Sequence, residues 1–370
     1  MQTSVAIIGG GLAGLQAARL LHAANIDFLL FEARNRLGGR ILSVDETGNV
    51  SADGFDLGPS WFWPQMQPAI GALVAELGLP AFPQSSEGDV VFERMSREAP
   101  QRYRGYRQEP QSMRLAGGTN AIVRALAAGL PQDRILRNRK VTGATLRAAG
   151  VTLTIAGAEG RKESVQADHV IFALPPRLLE ASVTFSPAID KAMAQRWQRT
   201  ATWMAPHAKF FAVYDRPFWR EDGLSGTAQS MVGPLVEIHD ATTASGGAAL
   251  FGFVGVGADE RQAMGEDLLL HACVQQVGRL FGARALQPRA TLFKDWAADP
   301  ATATKDDRTG GAHPSPDRQP WVDRTWQPFM SLAGSETGQN DPGYLSGAVD
   351  AAARAVSAII ETRRLGAERR

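Results

Sequence analysis

Apolar residues fall in short runs punctuated by glycine, and the first run is followed at once by a change of period. Val5 to Ile8 is a continuous apolar stretch of strand length, and Gly9-Gly10-Gly11-Leu12-Ala13-Gly14 interrupts it. Apolar residues then recur with helical spacing to about Ala24, and a second apolar run, Phe28 to Phe31, ends at Glu32. This order predicts a βαβ unit. Further on, "KVTGATLR" (140–147) and "VTLTIA" (151–156) read as strands separated by a Gly-containing turn, and the apolar "VIFAL" (170–174) returns the meander to the sheet. Residues 209–215 and 249–256 predict two more strands. Asp259 to Phe281 predicts one helix, with Met264, Leu268, Cys273, Val277 and Leu280 on its apolar face. No internal repeat is visible.

The glycines between strand and helix carry chemistry. Gly9 permits a tight turn, Gly11 lets backbone approach a diphosphate, and Gly14 lets helix and strand pack closely. The helix N-terminus offers unpaired N–H groups and a partial positive charge to phosphates. Glu32 follows Gly14 at the distance of the acid that binds ribose hydroxyls. These features predict a dinucleotide site and leave NAD and FAD both open.

The stretch "EARNRLGGR" (32–40) separates them. It resembles the signature of the flavin-containing amine oxidase family, in which the motif continues past the acid because FAD lies extended across the domain. Other segments resemble the family in its own order: "DLGPSW" (56–61), "MRLAGGTNAIVRAL" (113–126), "HVIFALPP" (169–176), "AKFFAVYDRPFWR" (208–220), and "LAGSET" followed by "PGYLSGAVDAAARAV". The resemblance implies an α/β fold: a Rossmann-like FAD-binding domain, discontinuous over 1–72, 112–185 and 309–370, with an interleaved α+β substrate domain over 73–111 and 186–308. By position, it implies cofactor contacts at Gly9, Gly11, Gly14, Glu32, Ala33, Arg34, Gly39, Arg40, Gly58, Pro59, Ser60, Trp61, Val141, Trp296, Glu336 and Leu345. The segment 73–111 departs from the family, where a longer helical insert is usual. Here it is polar and dotted with Arg94, Arg97, Arg102, Arg104 and Arg107, which predicts a solvated flap or a partial lid over an open entrance.

The resemblance also assigns the chemistry. Lys209 matches the lysine that approaches flavin N5 through a water and assists reoxidation. The helix starting near Tyr344 aims its positive end at the flavin's pyrimidine edge, and Glu336 and Thr337 occupy the loop for the ribityl and phosphate region. Tyr344 matches one wall of an aromatic cage flanking the substrate nitrogen, with His313 as the other candidate. Ala312 stands where monoamine oxidases carry the flavin-linking cysteine, so FAD is expected to be non-covalent. Amino-acid oxidases of the family place an arginine just after the "GP" of the ring-passing segment. Here Gly58-Pro59 is followed by Ser60 and Trp61, which favours a hydrophobic amine, with Phe62 or Trp63 as alternative inward aromatics.

The expected reaction is oxidation of such an amine to an imine by hydride transfer to flavin N5, with oxygen reduced to hydrogen peroxide, or with another electron acceptor, a protein or a quinone, in its place. Two readings stand beside it: a desaturase of the porphyrinogen or carotenoid type, and a flavin-binding protein without turnover. Composition fits an enzyme and narrows its partners. The 370 residues are 44% hydrophobic with a formal charge of +1, which gives no reason to expect nucleic acid or membrane. The lone Cys273 excludes an internal disulfide, and no metal-ligand spacing is present. No apolar run approaches the roughly 18 residues of a membrane span, and the N-terminal apolar run reads as a strand rather than a secretory signal. The expectation is a soluble cytoplasmic protein, with a homodimer left open.

Overall fold

Two sheets carry the architecture, and the first is built around the glycine-punctuated N-terminal strand. The structure is a computed structural model that describes residues 1–105, 109–156 and 162–368. Strand Gln2–Ile8 runs parallel to Phe28–Phe31 on one side and to the C-terminal part of Lys162–Phe172 on the other, so that Ile8 lies between Phe31 and Phe172. Met330–Leu332 adds a further parallel strand beside Val170–Phe172. Lys140–Arg147 and Gly150–Ala156 form the antiparallel meander leading into Lys162–Phe172.

Central parallel strands are covered on both faces and therefore lack polar alternation. Val5, Ile7, Phe28 and Leu30 face a layer made by helices Leu12–Ala23, Asn120–Ala128 and Leu345–Glu368. Ala6, Ile8, Leu29 and Phe31 face the opposite core under Trp197, Trp326 and the meander. Burying each of the larger side chains contributes roughly 1.5–3 kcal/mol. Changing the strand register by one residue would exchange the two sets.

The second sheet has seven strands, in the order Ala290–Asp295, Ala208–Tyr214, Ala248–Val254, Leu235–Asp240, Leu224–Ser230, Asp89–Glu93 and Gln101–Tyr103. Its strand Ala208–Tyr214 alternates in function. Ala208, Phe210, Ala212 and Tyr214 enter the core beneath helix Glu266–Phe281. Phe211 and Val213 pack on the other face with Val44, Phe55 and Leu57 of the first half of the chain, and Lys209 shares their parity.

Two expectations change. The helix expected over 259–281 is two, Ala258–Met264 and Glu266–Phe281, broken where Gly265 adopts φ +83°. Leu269 consequently turns inward and Leu268 is 59% exposed, while Cys273 is core and burial pushes its thiol up to about 12. The segment 73–111 is also more than a solvated flap: Asp89–Glu93 pairs with Leu224–Ser230, and Ala81–Pro83 pairs with Met113–Leu115. Arg94, Arg97, Arg102 and Arg104 do face solvent. Arg107 lies outside the described residues.

Candidate active site

A cavity of about 370 Å³ runs between the two sheets, from Gly9, Gly11 and Glu32 at one end to Lys209 and Tyr344 at the other. The glycine residues explain its near end. A Cβ on Gly14 would lie 1.8 Å from the Gly9 carbonyl oxygen, so only glycine lets the helix sit this close to the strand. At Gly11 the nearest neighbour of such a Cβ would be 3.8 Å away. The helix Leu12–Ala23 has no side-chain cap and no acid in its first turn, so its N–H groups and positive end face the cavity without internal competition. This cradle fits a diphosphate.

The second glycine pair packs directly on the first. Gly38 N–H donates to the Gly10 carbonyl at 2.8 Å, and Gly39 adopts φ +58° beside Gly11. Glu32 is 3% exposed and accepts from Gly10 N–H at 2.7 Å and from Arg34 N–H at 2.9 Å. The acid therefore orients the first glycine loop and the start of the segment that leads to the second. Arg34 reaches across the cleft to Asp299 at 2.9 Å and the Thr302 hydroxyl at 2.8 Å. Arg40 donates to the Glu336 carboxylate at 2.7 Å, to Ser335 at 2.9 Å and to the Trp203 carbonyl at 3.0 Å.

At the far end Lys209 is 4% exposed. Its ammonium donates to the Gly58 carbonyl at 2.6 Å, the Ser60 hydroxyl at 2.8 Å and the Asp56 carbonyl at 3.2 Å. It also lies 4.6 Å from the centre of the Phe251 ring. Burial lowers its pKa to about 7, against the opposing pull of Asp56, and Arg114 lowers it further. The Asp56 carboxyl is raised by its own burial. Its Oδ1 accepts from Ser43, Thr119 N–H and the Thr119 hydroxyl, while Oδ2 has no partner among the described residues.

Aromatic rings wall this end: Trp61, Trp63, Trp203, Phe253, Trp296 and Tyr344. His313 is not among the lining residues, yet its ring packs 4.7 Å from Tyr344 and 4.4 Å from Trp203. Its Nδ1–H donates to the Pro314 carbonyl at 2.8 Å, and its buried Nε2 has no partner among the described residues. Trp296 is fixed by donating to the Leu57 carbonyl at 3.0 Å.

Of the positions expected at the cofactor, Gly9, Gly11, Glu32, Arg34, Gly39, Arg40, Gly58, Pro59, Ser60, Trp61, Trp296 and Leu345 line the cavity. Four do not. Gly14 serves helix–strand packing, Ala33 is exposed, Val141 is buried in the core under the meander, and Glu336 is turned onto Arg40. Trp61 and Trp63 both face the cavity, whereas Phe62 enters the helical core. Trp203, His207, Phe253 and Thr302 also line it without having been expected. Phe253 carried only the signal of the strand expected over 249–256, and its pairing with Lys209 emerges from the fold; Trp203 lies in an aperiodic loop and carried none.

A glycine-loop dinucleotide cradle that opens into an aromatic chamber beside a buried lysine defines a flavin-dependent oxidoreductase. The family model for flavin containing amine oxidoreductases matches residues 96–360, and that for an NAD(P)-binding Rossmann-like domain matches residues 7–77. The chain belongs to the flavin containing amine oxidoreductase family; its cofactor is FAD and its reaction is the oxidation of an amine. A Mycobacterium tuberculosis protein named as a flavin-containing monoamine oxidase is 27% identical over 96% of each chain. Putrescine oxidase of Kocuria rosea is 24% identical, covering 81% of this chain and 83% of its own. Among solved structures, putrescine oxidase with putrescine bound superposes with a TM-score of 0.80 at 22% identity, over 98% of this chain and 99% of that one. Cyclohexylamine oxidase from Brevibacterium oxydans gives 0.79 at 20%, with the same coverage. Both share the fold.

Proposed function

We propose that the protein oxidises a hydrophobic primary or secondary amine, bound neutral, to an imine. The carbon bearing nitrogen gives up a hydride and the nitrogen a proton; water then hydrolyses the imine, and oxygen takes the two electrons and two protons to leave as hydrogen peroxide. Segments 1–72, 112–185 and 309–370 act as the cofactor-holding unit, and 73–111 with 186–308 as the substrate-facing unit. Bound FAD supplies the hydride acceptor that no side chain can provide.

The chain's residues position and tune. The uncapped helix at Leu12, with Gly9, Gly11 and Gly39 around it, holds the diphosphate, and Arg34 and Arg40, fixed by Asp299 and Glu336, border the cofactor. Tyr344 flanks the amine, and His313, packed against Tyr344 and Trp203, backs that wall. Lys209 supplies positive charge for the oxygen step. The lone cysteine is buried in the second core, away from the cavity, so FAD is held non-covalently.

One observation carries the choice of substrate: every cation lining the cavity is already engaged. Arg34 holds Asp299, Arg40 holds Glu336, and Lys209 is saturated by oxygen acceptors. A substrate carboxylate would find no free partner, whereas an apolar arm meets rings. Anaerobic addition of amines to the holoprotein tests this. Arylalkyl and alicyclic amines are expected to bleach the flavin band and amino acids to leave it. Bleaching by amino acids would overturn the substrate class, and no bleaching by any amine would overturn the reaction.

A further inference from the structure

Trp61 and Trp63 are two of the rings that wall the chamber, and each has its one polar atom tied down on the side away from it. Trp61 Nε1–H donates to Gln84 Oε1 at 2.8 Å, and Trp63 Nε1–H donates to the Ser112 hydroxyl at 2.9 Å. Gln84 lies within the short segment 73–111 that stands in place of a longer insert, and Ser112 lies just beyond it. Gln84 is 5% exposed and Ser112 is 2% exposed.

Backbone pairing brings these four residues together. Phe62 and Met113 exchange N–H···O bonds of 3.1 and 2.9 Å, which sets Ser112 beside Trp63. Pro83 pairs with Met113, and Gln84 N–H donates to the Ser112 carbonyl at 2.8 Å. The Gln84 side chain is itself locked, because its Nε2 donates to the Asp240 carbonyl at 2.8 Å and to the Ser85 carbonyl at 3.2 Å. Gln84 thus has a fixed amide orientation with its oxygen toward Trp61. The Trp61 ring is held in turn against His239 at 4.8 Å and Phe251 at 5.4 Å, and Trp63 stands edge-on to Tyr344 at 6.4 Å.

An indole with its N–H satisfied elsewhere can present only carbon to a ligand. We propose that Gln84 and Ser112 are positioning residues for substrate selection: by anchoring the N–H groups of Trp61 and Trp63 they fix the two rings as apolar walls for the non-reacting arm of the amine. This rests on the amine reading above. The short segment would then contribute to specificity through two buried hydrogen bonds instead of through a lid. Neither residue touches the reacting atoms, so each acts on substrate affinity and not on the chemical step.

The test compares the full-length holoprotein with Q84L, W61F, W61F/Q84L and S112A. Anaerobic flavin bleaching by an arylalkylamine gives the half-saturating concentration and the limiting rate separately. Q84L is expected to raise the half-saturating concentration about five- to tenfold, the scale of one buried hydrogen bond, with the limiting rate within about twofold. In the W61F background, which already lacks the N–H, Q84L should add little. S112A, a milder change acting through Trp63, should move affinity in the same direction and serves if Q84L fails to fold. An equal effect of Q84L in both backgrounds, or a fall confined to the limiting rate, overturns the proposal. Near-ultraviolet circular dichroism supplies a readout that needs no turnover. Q84L should alter the aromatic bands in the wild-type background and leave them unchanged in W61F; unchanged bands in both overturn the proposal. If no amine bleaches the wild-type protein, it is the amine reading that fails, and the dichroism still decides the anchoring.

Discussion

Lys209 Nζ lies 2.6 Å from the carbonyl oxygen of Gly58, a bond between a strand of the second sheet and the loop that passes the cavity. It makes the lysine both a joint between the two halves of the molecule and a charge held at the chamber. The ammonium has three oxygen acceptors and no carboxylate bonded to it directly, which is why burial prevails and its pKa falls to about 7.

The oxygen reaction of the holoenzyme should therefore titrate. Lys209→Met is expected to slow reoxidation by about 10- to 100-fold, with a smaller effect on anaerobic amine oxidation. In the wild type the oxygen rate should fall as pH rises through about 7, where the ammonium is lost, and this step should vanish in the variant. Stopped-flow mixing of the reduced protein with oxygen across pH measures both. Unchanged oxygen kinetics in the variant would remove Lys209 from this role.

The same shift links to stability with a definite sign. The unfolded lysine titrates near 10.5 and the folded one near 7, so between these values the unfolded chain binds more protons. Folding stability of the apoprotein gains from this group as pH rises from 7 to 10.5 and carries the full penalty below 7. Relative to Lys209→Met, the wild type should gain up to about 1.4 kcal/mol per pH unit in that window. Urea unfolding of both proteins between pH 7 and 10 gives the difference, and a flat difference would mean that the folded lysine is not depressed.

Arg40 and Glu336 form the most one-sided ion pair at the cavity, because the Glu336 side chain is wholly buried while Arg40 is 25% exposed. Arg40→Met leaves a buried carboxylate without its guanidinium and is expected to cost about 3–5 kcal/mol. Arg40→Met combined with Glu336→Gln should recover part of that loss, since the stranded charge is gone. Denaturant midpoints of the two variants check this.

Close backbone approach makes a further forecast. A Cβ on Gly58 would sit 1.9 Å from the Arg40 carbonyl oxygen, whereas one on Gly48 meets nothing within 4 Å. Gly58→Ala should therefore cost about 3 kcal/mol by forcing backbone apart and should weaken FAD retention. Gly48→Ala should cost only the roughly 1–2 kcal/mol of its positive φ. Thermal unfolding and flavin release on gel filtration measure the pair.

The first sheet was legible because its signals are local. Val5 to Ile8, the glycine loop and Phe28 to Phe31 lie within one short stretch, and each residue's demand for turn, approach or burial agrees with the next. The site's far end was legible only in part. Lys209 stood out as a charge in an apolar strand, but its acceptors come from residues 56 to 60, which periodicity cannot connect to it. Gln84 and Ser112 were invisible for the same reason: a buried amide or hydroxyl shows itself only through the partner that three-dimensional pairing supplies. The break at Gly265 escaped because apolar spacing continues across it, and a single residue with positive φ shifts the inward face by one position, from Leu268 to Leu269.

The N-terminal strand is completed by partners from far along the chain. Lys162–Phe172 pairs with it, Met330–Leu332 pairs beyond that, and the helix Leu345–Glu368 covers the helix Leu12–Ala23. During synthesis the glycine loop therefore leaves the ribosome long before the layer that shields it exists. Its apolar strands must wait, exposed, for more than 300 residues of later chain. The nucleotide cradle is therefore complete only when chain from both ends of the sequence has come together.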